Sequence, residues 1–337
     1  MSGFVLDRAI EALETDGVVA IPTETVYGLA ALITSPLGIK KIFSVKKRPF
    51  FDPLIVHVSS KKMAETLTTD WNPLVDFLAE HFWPGPLTFV LPKSTAVDSM
   101  ITSGLETVGV RMPKHTLALS LIDRLGIPLA APSANRFGKT SPTTAAHVKA
   151  EFPDENLVIL DGGESQVGLE STVLHISRLE NHYRLSILRK GAVTKTDLEK
   201  ALSYQKFQVE FIEALSKKES PGHMKHHYMP EIPLVMVHGS ALSEAEILQL
   251  AQEKMKDLPT EIDGVSILKP TQFRKSQELL LPVESAQAAR VLYSELRKLS
   301  TQKKVDLLYF RLQAHHESEP WQAIMDRLTK AASLIIN

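Results

Sequence analysis

Between about residues 205 and 231 the hydrophobic rhythm that organises the rest of the chain is lost, and this break constrains the fold most. Its centre, Ser220-Pro221-Gly222-His223-Met224-Lys225-His226-His227-Tyr228-Met229-Pro230, has turn formers at both ends and a cationic, aromatic middle. Such a stretch reads as an interdomain linker. At 337 residues the chain also exceeds what one hydrophobic core usually serves. Two domains are therefore expected, 1–204 and 232–337, joined by 205–231.

Before the break, Leu6, Ile10 and Leu13 fall at helical spacing, and Gly17 should end that helix. Val18 to Ile21 reads as a buried strand running into the polar turn Pro22-Thr23-Glu24-Thr25. Ile39, Ile42 and Phe43 suggest a short helix whose far end carries Lys46, Lys47 and Arg48. In the strand Leu54 to Val58, Leu54, Val56 and Val58 share one face, with Ile55 and His57 on the other. Further strands are expected at 88–91, 107–112, 157–160, 171–176 and 184–188. Their order is not a plain βαβ alternation, so this part reads as a twisted mixed sheet with flanking helices.

After the break, strands at 233–238, 265–269 and 305–310 alternate with helices at 243–256, 285–299 and 321–332. That alternation suggests a smaller, open α/β domain with a largely parallel, Rossmann-like sheet.

Composition narrows the chemistry. The absence of cysteine excludes disulfides, thiolate metal sites and a cysteine nucleophile. A net charge of −1 gives no global field toward nucleic acid or membrane, so any anion site must be local. Asp7, Arg8 and Glu11 occupy the place where a signal peptide would need an apolar run. No stretch approaches the roughly 18–20 apolar residues that cross a bilayer. A cytoplasmic protein with no membrane association is expected.

Several constellations could carry chemistry. Lys40, Lys41, Lys46, Lys47 and Arg48 cluster before Pro49, as suits a polyphosphate or, more plainly, a solvated helix end. The run from Pro128 to Asn135, then Gly138 to Thr143, leads an apolar strand into a turn rich in hydroxyls. There, Ser141-Pro142-Thr143 also looks like a helix start. Alternation through Thr107-Val108-Gly109-Val110-Arg111 places an arginine on a mostly apolar strand, which is costly unless its head meets an anion or water. His223, His226 and His227 raise the question of zinc, although no carboxylate flanks them closely. Neither of the usual glycine-rich phosphate loops is present.

Taken in order, these segments resemble the YrdC-like threonylcarbamoyl-AMP synthases, in the longer two-domain branch. The strings that carry the resemblance are Ile21-Pro22-Thr23-Glu24-Thr25-Val26-Tyr27-Gly28-Leu29, Lys46-Lys47-Arg48-Pro49 and Pro53-Leu54-Ile55-Val56-His57-Val58. Trp83-Pro84-Gly85-Pro86-Leu87-Thr88, Val110-Arg111-Met112-Pro113 and Ala131-Pro132-Ser133-Ala134-Asn135 follow. Gly168-Leu169-Glu170-Ser171-Thr172-Val173 and Leu188-Arg189 complete the set.

The resemblance implies that ATP, bicarbonate and L-threonine are joined into threonylcarbamoyl-AMP, for threonylcarbamoyladenosine at position 37 of tRNA. It implies Lys46, Arg48, Ser133 and Asn135 as catalytic residues. Arg48, Asp52, Thr107, Ser133, Ser141, Arg189 and Tyr228 would contact ATP, Tyr228 by folding back over the nucleotide. Thr25, His57, Arg111, Ala131 (through its backbone) and Ser171 would surround threonine. Magnesium would be held mainly by ATP, with no protein ligand. The implied partners are the downstream tRNA threonylcarbamoyl transferase machinery and, weakly, double-stranded RNA or tRNA. Ser220 to Pro230 is the candidate lid. A rival reading is an RNA-binding module that uses a basic patch without chemistry.

Overall fold

The computed structural model describes residues 2–213, 220–222, 224, 226–239, 242–257, 261–262, 265–266, 272–302 and 305–336. It divides into two compact units, Met1–Arg136 with Pro142–His223, and Phe137–Ser141 with Met224–Asn337.

In the first unit the strands are β1 (Val19–Ile21), β2 (Gly28–Leu32), β3 (Ile55–His57), β4 (Leu87–Pro92) and β5 (Thr107–Arg111), then β6 (Leu129–Ala130), β7 (Val158–Ile159), β8 (Thr172–Arg178), β9 (Tyr183–Arg189) and β10 (Val209–Phe211). The helices are α1 (Ser2–Glu14), α2 (Pro36–Lys46), α3 (Lys61–Glu65), α4 (Pro73–Phe82), α5 (Ser99–Thr102), α6 (Thr116–Leu125), α7 (Ala145–Glu151) and α8 (Lys195–Leu202). The strands form one mixed sheet in the order β10-β9-β8-β4-β5-β3-β6-β2-β1-β7.

This sheet is apolar on both faces. Along Val18 to Ile21, Val18 and Ala20 join the main core while Val19 and Ile21 join a second cluster with α1 and α6. Leu54, Val56 and Val58 likewise enter the main core, and Ile55 on the opposite face meets Val90, Val173 and Leu188. That smaller apolar patch floors the face on which the polar residues gather.

Two local expectations are corrected. The helix after the hydroxyl-rich turn starts at Ala145 with Thr144 as its cap, because the Thr144 side chain accepts from the His147 N–H; Ser141-Pro142-Thr143 lies ahead of it. Strand β10 falls inside the stretch read as aperiodic and pairs in parallel with β9, within the alternating run Phe207-Gln208-Val209-Glu210-Phe211.

The second unit holds β11 (Leu234–Val237), β12 (Glu261–Ile262), β13 (Val265–Ser266), β14 (Ser276–Glu278), β15 (Leu307–Arg311) and β16 (Leu334–Ile336), with α9 (Glu244–Lys254), α10 (Ser285–Ser300) and α11 (Gln322–Ala331). Its main sheet runs β14-β15-β11-β16, with every pairing parallel. Ser243 caps α9 in a reciprocal capping box with Glu246, which satisfies two otherwise orphaned N–H groups. Of the strand expected over 265–269, 265–266 form β13, which pairs antiparallel with β12, and 267–269 lie outside the described residues. The polar edge strand β14, not expected from the sequence, pairs in parallel with β15.

Candidate functional site

Helix α2 ends at Lys46, where Lys47 turns left-handed at φ 51° and its N–H returns to the Phe43 and Ser44 carbonyls. That turn splits the basic cluster by environment. Lys40, Lys41 and Lys47 are exposed, whereas Lys46 and Arg48 are buried. The solvated-helix-end reading therefore fails for the two cations expected to be catalytic. The Lys46 Nζ donates to the Ser133 carbonyl at 2.5 Å and also to the Asn135 carbonyl. Burial, and secondarily the nearby Arg48, holds the Lys46 ammonium well below its usual pKa. Neutral or charged, it has enough N–H groups to keep both carbonyls bonded.

Arg48 lies in an equally buried nest. Its Nε donates to the Asp52 carbonyl at 3.1 Å and Nη2 to the Pro53 carbonyl at 2.8 Å. Nη2 also lies 2.9 Å from the Asp52 carboxylate, which is fully buried. The Asp52 carboxylate thus has a structural reason, since it fixes the arginine. The β3–β5 register pairs Ile55 with Gly109, and two residues earlier stand Pro53, just ahead of β3, and Thr107 at the start of β5. Thr107 and the Arg48–Asp52 pair accordingly belong to one end of these strands.

The other end carries His57 and Arg111, which are partners in the same register. From there a row crosses the sheet. His57 pairs with Leu129 of β6, Thr88 of β4 stands opposite Arg111 one step from the Phe89–Val110 pair, and Val173 of β8 pairs with both Thr88 and Arg189 of β9. Arg189 donates from Nε to the Ser171 carbonyl at 3.0 Å, from Nη2 to Ser171 Oγ at 3.1 Å and from Nη1 to the Pro221 carbonyl at 3.2 Å. Ser171 Oγ shares a proton with Thr88 Oγ1 at 2.7 Å. Ala131 donates its N–H to the Ile55 carbonyl at 2.9 Å. Gly28 lies against this loop, where a Cβ would come within 3.2 Å of Ala131 Cβ.

Arg111 meets its anion inside the protein. Its Nη2 lies 2.7 Å from Glu24 Oε1, Nη1 donates to Thr25 Oγ1 at 2.9 Å, and Nε donates to the Gly85 carbonyl at 3.2 Å. Beside it, burial first and the Arg111 charge second lower the His57 pKa to about 3, so its imidazole is neutral at physiological pH.

The first unit therefore gathers Thr25, His57, Arg111, Ser171 and Arg189 along one row, Ala131 opposite Ile55 two residues from it, and Lys46, Arg48, Asp52, Ser133 and Asn135 around the end of α2. Ser141 and Tyr228 belong to the second unit. There Tyr228 adopts φ 64°, its ring stacks on Tyr293 with centroids 5.8 Å apart, and the Arg327 guanidinium lies 5.1 Å from its centroid. His226 and His227, in the second unit, are buried, and His223 lies outside the described residues.

Thr23, Glu24 and Thr88 also join these clusters and were not among the residues expected from the sequence. Glu24 was legible, because a charge between two threonines at a strand end needs a partner. Thr88 was visible only as the polar member of the apolar run Leu87-Thr88-Phe89.

Among known proteins, the family described as Telomere recombination (Sua5_yciO_yrdC) matches residues 11–191. The family described as Threonylcarbamoyl-AMP synthase, C-terminal domain (Sua5_C) matches residues 193–333. A threonylcarbamoyl-AMP synthase of Pyrococcus abyssi is 35% identical over 94% of this chain and 90% of its own length. One from Bacillus subtilis is 37% identical over 96% and 92%. The crystal structure of P. abyssi Sua5 complexed with L-threonine superposes with a TM-score of 0.78 at 32% identity, covering 100% of this chain and 97% of that one.

Fold and site together define a two-domain α/β transferase of the YrdC-like class. The chain belongs to the threonylcarbamoyl-AMP synthase family, whose members are ATP-using, adenylyl-transferring enzymes.

Proposed function

We infer that the chain makes L-threonylcarbamoyladenylate and pyrophosphate from L-threonine, bicarbonate and ATP, for threonylcarbamoyladenosine at tRNA position 37. Family membership along nearly the whole chain carries this reading. The buried Lys46–Ser133–Asn135 and Arg111–Thr25 clusters support it.

In the reaction the threonine amine adds to bicarbonate, giving a carbamate and water. A carbamate oxygen then bonds to the α-phosphorus as the bond to the β-phosphate breaks and pyrophosphate leaves. Such a transfer needs positioning and charge stabilisation more than a protein nucleophile. Lys46 and Arg48 would supply cations with little freedom to move, and Ser133 and Asn135 a loop stapled by Lys46. The triphosphate would restore the charge that burial disfavours on Lys46. Asp52, Thr107, Ser141, Arg189 and Tyr228 are the proposed further ATP contacts. Thr25, His57, Arg111, Ala131 and Ser171 are the proposed threonine contacts.

Magnesium is proposed to travel with ATP, where it would neutralise phosphate charge. Hard cations want free oxygen ligands, and the Glu24 and Asp52 carboxylates are paired with arginines. That donor set fits a metal held by phosphates. Residues 1–204 are proposed as the catalytic domain, 205–231 as linker and lid, and 232–337 as the C-terminal domain. Handover to the tRNA transferase machinery, weak RNA affinity and a cytoplasmic site belong to the same proposal. Among the described residues no helix is long and apolar enough to cross a membrane.

The test is pyrophosphate release from ATP and magnesium, followed with and without threonine and bicarbonate. Release that needs both, with an adenylate appearing in step, is expected. Release indifferent to threonine would overturn the substrate assignment.

A further inference from the structure

The turn Thr23-Glu24-Thr25 contains a hydrogen-bond chain whose proton direction can be read. Thr23 Oγ1 lies 2.6 Å from the Val26 carbonyl, which can only accept, so the single Thr23 hydroxyl proton goes there. Thr23 Oγ1 and Thr25 Oγ1 are 2.8 Å apart, and one proton must lie between them. With the Thr23 proton committed, Thr25 is the donor. Arg111 Nη1, which cannot accept, donates to Thr25 Oγ1 at 2.9 Å. The direction runs from Arg111 to Thr25 to Thr23 to the Val26 carbonyl. Glu24 holds the head of the chain through its 2.7 Å ion pair with Arg111, and its Oε2 accepts from the Lys114 N–H at 2.9 Å.

We propose that Thr23 is a positioning residue for the amino-acid substrate, because it consumes the Thr25 hydroxyl proton and leaves Thr25 able to offer a substrate only a lone pair. This rests on the reading of Thr25 and Arg111 as threonine contacts. The substrate group facing Thr25 is then a hydrogen-bond donor, and a group with only lone pairs would meet lone pair against lone pair. Thr23 never touches the substrate and acts through Thr25. Without Thr23, the Thr25 proton is free to rotate toward the substrate, and the acceptor is no longer preorganised.

The experiment measures steady-state pyrophosphate release by Thr23→Val, Thr23→Ser, Thr25→Val and the Thr23→Val/Thr25→Val double variant. Thr23→Val should raise KM for threonine by about 3–10-fold, the worth of one hydrogen bond, and leave KM for ATP unchanged. Thr23→Ser, which keeps the hydroxyl, should behave as the parent enzyme. In the double variant the effect of Thr23→Val should vanish, since no Thr25 hydroxyl remains to orient. A role confined to the turn, where Thr23 Oγ1 also accepts from the Thr25 and Val26 N–H groups at 3.2 Å, would instead persist in the double variant and overturn the proposal. An unchanged threonine KM in folded Thr23→Val would overturn it as well. If Thr25→Val also leaves the threonine KM unchanged, the substrate reading itself has failed, and that outcome is distinguishable from failure of Thr23 alone. Should Thr23→Val not fold, Thr23→Cys, a weak acceptor, replaces it with the same expected direction and the same overturning result.

Discussion

Arg111 and Glu24 form an ion pair at 2.7 Å with both side chains only 4% exposed. Their interaction changes what a substitution at Arg111 would report. Removing one member of a buried pair strands the other charge, at a cost of about 3–5 kcal/mol, whereas removing both costs less. Arg111→Ala should therefore lose more stability than Glu24→Gln combined with Arg111→Met. Urea unfolding midpoints of the two proteins check this. Equal losses would show that the pair is not coupled in the folded state. Threonine affinity is better probed with Arg111→Lys, which keeps the charge and loses the planar fork.

His57 predicts a pH dependence. Its folded pKa of about 3 lies below the ordinary value of 6.5, so between these limits the unfolded chain holds the extra proton. The stability it contributes is full above 6.5 and is lost as pH falls toward 3, by about 1.4 kcal/mol per pH unit. A His57→Gln variant should show a flatter loss between pH 6.5 and 4.5 in denaturant melts. An equal slope in both proteins would mean that His57 titrates normally in the fold.

Much of this was legible in the sequence, and the failures have physical causes. Alternation in Leu54 to Val58 gave the correct faces because a strand buried on both sides must still alternate its contacts. The cost of an arginine on an apolar strand left an anion or water open for the Arg111 head, and the fold supplies the Glu24 carboxylate. Which anion could not be read, because Glu24 lies on a turn far away in the chain and only the fold brings it near. The basic cluster was legible as a cluster, but its division into buried and exposed cations depends on the left-handed turn at Lys47. Strand β14 escaped because Ser276-Gln277-Glu278 has no apolar member, whereas β10 was passed over although Phe207, Val209 and Phe211 alternate with Gln208 and Glu210.

Lys46 predicts a loss that charge alone does not restore. Its Nζ bonds the Ser133 and Asn135 carbonyls, so Lys46→Met should free that loop as well as remove a cation. Adenylate formation should fall by at least about 100-fold, on the scale of one preorganised electrostatic contact. Lys46→Arg should recover little, because the larger planar head does not fit a fully buried site with two converging carbonyls. Near-parental activity in Lys46→Arg would show that only charge matters there.

Tyr228 offers a test within the second unit. Its φ of 64° costs an L-residue about 1–2 kcal/mol, and the residue is 1% exposed, its ring against Tyr293 and the Arg327 guanidinium. The ring contacts must therefore offset the backbone strain. Tyr228→Ala keeps the strain and loses the contacts, so it should destabilise by about 3–5 kcal/mol. Tyr228→Gly loses the same contacts and relieves the strain, since glycine enters this region without a Cβ penalty. Although glycine is usually the worse substitution, here Tyr228→Gly should be more stable than Tyr228→Ala by about 1 kcal/mol. Chemical denaturation followed by second-unit fluorescence through Trp321, with the other tryptophans replaced, would measure the difference. If the alanine variant is the more stable of the two, the left-handed turn is not what the Tyr228 ring holds in place.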